Sequence, residues 1–134
     1  MGRSWKDLIP NFDQSSYWAG VTSAFAEVVG AGVKQLALSH PYTKEDLEIM
    51  LEPSKQIAAE YGVLTLVEDD LLVTPLFPAD VAQGKFVILF AQNQTVLNEY
   101  LALKGSSQTP VEKAWAFGRL LSYDNESIRR LISS

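Results

Sequence analysis

The chain has 134 residues, 47% of them hydrophobic and 20% charged, with no cysteine and a formal net charge of -5. That length fits one domain with a real core. The apolar content excludes wholesale disorder, and the missing thiols exclude disulfides, thiolate metal sites and a cysteine nucleophile. The charge is uneven: residues 40–80 hold nine acids against two bases, residues 81–134 four acids against six bases. An acidic centre disfavours nucleic acid as a partner. It reads either as a solvated helix face or as a surface that selects a cation or a basic partner. No signal-like apolar run opens the chain, and the longest apolar stretches, such as 86–91, fall far short of the roughly 20 residues of a membrane helix. The expectation is a cytoplasmic protein with no membrane partner.

Residues 1–16 form a polar lead-in, with Trp5, Leu8, Ile9 and Phe12 as anchors to the body. A first helix is predicted over 15–31, capped by Ser15 or Ser16, because Trp18, Val21, Phe25, Val28 and Val29 recur at helical spacing. Ala19, Ser23, Ala26 and Gly30 make a second stripe of small side chains that lets another element come close, in the same chain or in a partner. Gly32 suits a left-handed cap. A strand follows over 33–38, broken by Ser39-His40-Pro41-Tyr42. Thr43 then caps a long helix reaching Tyr61, in which Pro53 predicts a kink or a restart. Gly62 ends that helix, and 63–67 is the second strand. A strand, a crossover helix and a strand make a βαβ unit with parallel strands.

Glu68-Asp69-Asp70 reads as a turn, after which Leu71–Thr74 resumes β character as the return arm of a hairpin. Residues 75–85, with Pro75, Pro78 and Gly84, are irregular, with Leu76 and Phe77 as core anchors. Residues 85–91 are the clearest strand, apolar enough for burial on both faces. Thr95 is read as the cap of a helix to Lys104. Thr109, Pro110 and Glu112 spell a capping box with proline at the first helical position. A last short helix starts at about Asp124. Together these elements predict an α/β (or α+β) fold, a small three-layer or two-layer sandwich filling residues 1–134 as one domain. Its mixed four-stranded sheet contains one βαβ unit, in the order α-β-α-β-β-β-α-α-α, and 106–134 is a C-terminal helical extension packed on it.

In this arrangement the strand ends gather Ser39, His40, Glu68, Asp69, Asp70, Gln92 and Asn93 at one edge, where open α/β sheets hold ligands. His40 is the sole histidine. Paired with Asp69 or Asp70 it would serve as a general base, the carboxylate fixing its tautomer. Otherwise His40-Pro41 is simply a turn. Ser39, Glu68, Gln92 and Asn93 are the candidate ligand contacts. The three acids suit a hard cation only if the chain turns so that they converge. No metal site and no cofactor is called for, since calcium-loop spacing, a phosphate-binding glycine loop and a nucleophile elbow are all missing. Arg119, Arg129 and Arg130 form a modest basic patch, and Trp5 is the best candidate for an exposed contact.

Two readings of function follow. The first is an accessory or regulatory protein without catalytic activity, acting through protein–protein binding and self-association as a homodimer. The second is a small enzyme or small-ligand binder at the sheet edge, using acid–base or cation-assisted hydrolysis. A concave, partly apolar pocket beside the acids favours the second.

Overall fold

The computed structural model describes residues 13–133. Trp5 and the rest of the lead-in before Asp13 lie outside the described residues. The elements are α1 (Gln14–Gly30), β1 (Leu36–Leu38), α2 (Lys44–Glu60), β2 (Leu64–Glu68), β3 (Val87–Ala91), α3 (Gln94–Lys104), α4 (Pro110–Leu120) and α5 (Asn125–Ser133). Helix and sheet are mixed, as the composition and periodicity require.

The sheet has three strands in the order β1-β3-β2, and both pairings are antiparallel. This corrects the expected mixed four-stranded sheet. β1 and β2 do run parallel to one another, but β3 lies between them, so the βαβ unit is split. Hydrophobic period identifies β3 as a doubly buried strand without saying which neighbours it takes. All five of its residues are buried.

The expected fourth strand at 71–74 does not form, and among the described residues the order is α-β-α-β-β-α-α-α. Burial still alternates there: Leu72, Thr74 and Leu76 point inward, while Val73 and Pro75 stay exposed. The backbone bonds go elsewhere. Leu72 N–H donates to the Tyr100 hydroxyl at 3.1 Å, and Leu76 N–H to the Thr74 hydroxyl at 3.1 Å. Side chains thus supply the acceptors that a ladder would supply.

Alternation along β3 divides the core. Ile88 and Phe90 pack with Trp18 and Val29 of α1, Met50 and Ala58 of α2, and Tyr42. Val87, Leu89 and Ala91 pack on the other face with Tyr100, Phe117 and Ile128 from α3, α4 and α5. Three layers result, with the sheet in the middle, and the C-terminal helices belong to its second core. Two close approaches set the helix packing. A methyl group at Gly30 would lie 2.6 Å from the Tyr61 carbonyl oxygen, and one at Gly118 would lie 2.7 Å from Ile128 Cγ1. The small-residue stripe of α1 therefore meets α2 at Gly30.

Helix ends follow side-chain chemistry. Thr43 accepts from Asp46 N–H, and the Thr109–Glu112 capping box is complete. Gly32 takes the left-handed conformation after α1, with φ of +82°. Two caps differ from expectation. Asp13, not Ser15 or Ser16, caps α1, because its carboxylate accepts from Ser15 N–H and from both serine hydroxyls. Asn93, not Thr95, caps α3 by accepting from Val96 N–H. Pro53 sits inside α2 without ending it. Its missing N–H leaves the carbonyl of Ile49 without its usual helical donor, on a residue that is exposed. No helix among the described residues is long and apolar enough to cross a membrane.

Candidate functional site

The end of the sheet where β1 and β2 finish is built around Ser39. Its N–H donates to the Ile88 carbonyl at 2.9 Å, which carries the β1–β3 ladder one residue further. Its hydroxyl accepts from Ile88 N–H at 2.8 Å and donates to the His40 carbonyl at 2.8 Å. The chain leaves the sheet here and rejoins it at Tyr42, which bridges to Phe86. Ser39 is therefore a nearly buried hinge post with its hydroxyl engaged in both directions.

His40 turns toward α1. Its ring stacks on Trp18 with 5.1 Å between centroids and 28° between planes, and Tyr42 meets Trp18 edge-on at 5.1 Å.

Glu68, Asp69 and Asp70 have separate fates. Glu68, 6% exposed, turns inward. It accepts from the Tyr100 hydroxyl at 2.8 Å, from Lys104 Nζ at 2.9 Å on both oxygens, and from Asp70 N–H at 3.1 Å. Burial pushes its carboxyl up, but the bonds from Lys104, Tyr100 and Asp70 and the lysine charge together hold it below the usual value. Burial pushes the Tyr100 hydroxyl well up, and its neighbour Glu68 adds to that. Asp69 and Asp70 stay exposed, and Asp70 lies 3.9 Å from Lys104. The three acids do not converge, and among the described residues no group of three histidines or acids could share a metal ion.

Between this end of the sheet and the segment 71–84 lies a cleft of about 520 Å³. Leu38, Ser39 and Pro41 line one side; Asp69 and Asp70 stand in the lining at the start of the segment; Val73, Phe77, Val81 and Ala82 continue it, with Tyr123 from the turn between α4 and α5. Phe77 and Tyr123 meet edge to face, 6.4 Å between centroids. The lining is mainly apolar, and it contains neither His40 nor Glu68.

The seven residues expected on one edge, Ser39, His40, Glu68, Asp69, Asp70, Gln92 and Asn93, are separated by the fold. Ser39, Asp69 and Asp70 line the cleft. Gln92 and Asn93 lie at the opposite end of the sheet, because β3 runs against β1 and β2: Ala91 pairs with Leu36 and Leu64, whereas Val87 pairs with Glu68. The Asn93 side chain is occupied as the α3 cap. Tyr100 and Lys104, one helical turn apart, escaped notice; that spacing on an otherwise apolar face was the signal available. Phe77 was read only as a core anchor. The basic patch disperses, with Arg119 over the Trp115 ring and Arg129 paired with Glu126 along α5. A second cleft, of about 570 Å³, runs between α3 and α4 and includes Glu99 and Arg119.

Comparison with protein-family models, with curated proteins and with solved structures finds no match for this chain.

Proposed function

We propose that the protein is a binding protein whose cleft between Ser39, Asp69 and the segment 71–84 takes a small, mainly apolar ligand. The observation that carries this reading is the cleft itself: about 520 Å³, walled by Val73, Phe77, Val81 and Tyr123. That size falls within the usual range for small-molecule sites, which are largely apolar with few polar groups. Acid–base hydrolysis by His40 with Asp69 or Asp70 receives less support, because the imidazole is stacked on Trp18 and absent from the lining. The test is thermal unfolding with increasing 2-phenylethanol, on the full chain and on Val81→Trp. A ligand that binds only the folded state raises the melting temperature with concentration. The natural chain should respond and Val81→Trp, whose indole competes for the apolar space in the cleft, should not. No response in either, or the same response in both, overturns the reading.

Self-association is the second reading, and a separate observation favours it. β2 is an edge strand, so half of its backbone groups have no strand partner among the described residues. Leu64 and Val67 are exposed along it, and it holds no lysine or proline to blunt pairing. Antiparallel pairing of two β2 strands joins the sheets and keeps the two acidic ends apart. Sedimentation equilibrium should give a dimer for the natural chain and a monomer for Val67→Pro. A monomeric natural chain at high micromolar concentration ends this reading.

A further inference from the structure

We infer that the ligand of this cleft is a small organic monocation, an ammonium group carried on an apolar body. The inference rests on the reading that the cleft holds a small ligand, and it adds the sign of the charge. The lining contains two carboxylates, Asp69 and Asp70, and no lysine, arginine or histidine. The nearby cation Lys104 is held by bonds to both oxygens of Glu68. Lys34 lies over the Tyr123 ring, 5.4 Å from its centroid. Asp69 has no ion-pair partner among the described residues, and Asp70 reaches Lys104 only at 3.9 Å. A ligand anion would meet two like charges and no cationic side chain in the lining. A cation meets Asp69 in the lining, while its apolar body covers Val73 and Val81, which are 61% and 44% exposed. Burial of those two valines supplies affinity, and the carboxylates select the charge.

Calorimetric titration of the full chain at pH 7 and low salt separates these contributions. The probes are 2-phenylethylamine, 2-phenylethanol and 3-phenylpropionate, which share a phenyl group and differ in charge. The amine should bind about fivefold more tightly than the alcohol, as befits an exposed ion pair, and the carboxylate most weakly. The double variant Asp69→Asn, Asp70→Asn should reduce the amine to the affinity of the alcohol. Val81→Trp should abolish binding of both. Equal affinities for amine and alcohol, both lost in Val81→Trp, would overturn the cation and leave the cleft standing, as would a preference for the carboxylate. Amine binding unaffected by Val81→Trp would place the cation on the outer surface and overturn the inference. Failure of all three probes would overturn the cleft reading with it.

Discussion

The two faces of the sheet are covered in different ways. On one face α1 and α2 lie flat against Ile88 and Phe90, with Gly30 against the Tyr61 backbone and, at the margin, His40 stacked on Trp18 and Tyr42 edge-on to it. On the other, α3, α4 and α5 cover most of Val87, Leu89 and Ala91, and the irregular segment 71–84 finishes the cover. Regular helices interdigitate and leave little room. A segment whose backbone is tied to the side chains of Tyr100 and Thr74 stands away from the sheet, and the space beneath it is the cleft. The open space of the molecule thus lies on the face covered without a complete set of regular elements, and the proposed binding goes there.

Substitutions can break that contrast. Phe90→Ala should lose about 3–5 kcal/mol, because a filled and fully buried site cannot collapse, whereas Val81→Ala in the cleft wall should change stability by less than about 0.5 kcal/mol. Urea unfolding of both variants checks this, and similar losses would mean that the cleft wall is core.

The segment's tether comes next. Lys104→Met should cost about 1–3 kcal/mol, since it leaves the buried Glu68 carboxylate short of its strongest donor. The same group sets an acid limit. Its carboxyl is held below the unfolded value of 4.5, so its contribution is complete above that pH and is lost as pH falls through the lower folded value. Glu68→Gln should flatten this part of the pH–stability curve, measured by urea midpoints between pH 3 and 7. An unchanged curve would remove Glu68 from the account.

Gly118→Ala should cost about 1–3 kcal/mol on the same face, because the added methyl meets the fully buried Ile128 side chain, which must shift. The one stabilising change belongs to the closed face. Among the described residues the buried Ser54 hydroxyl has no hydrogen-bond partner, so Ser54→Ala should stabilise by about 1 kcal/mol in the same assay.

Much of the local structure on both faces was legible in the sequence. Thr43, the Thr109–Glu112 box and Gly32 act locally, through bonds spanning three or four residues, and local chemistry is what a sequence displays. Burial of β3 on both faces was legible for the same reason. Strand order was not, because hydrophobic period fixes which residues are buried and leaves the choice of neighbour to the packing of distant helices. That one unknown moved Gln92 and Asn93 to the far end of the sheet. The missing fourth strand has a subtler cause. Leu72, Thr74 and Leu76 alternate like a strand, yet the acceptor for Leu72 N–H is a tyrosine 28 residues away. A run of acids after a strand marks a sheet end, and Asp69 and Asp70 do lie at one. The apolar wall they face was not legible, since Val73, Phe77, Val81 and Tyr123 meet only when residues some fifty positions apart are brought together.

The most direct test of the cleft as a binding site is amide chemical-shift mapping on uniformly labelled protein during titration with 2-phenylethylamine. The account predicts saturating shifts clustered at Asp69–Thr74, at Phe77–Gly84 and at Tyr123, with α1 and α2 unmoved. Shifts concentrated on α1 and α2, or none at millimolar ligand, would contradict it.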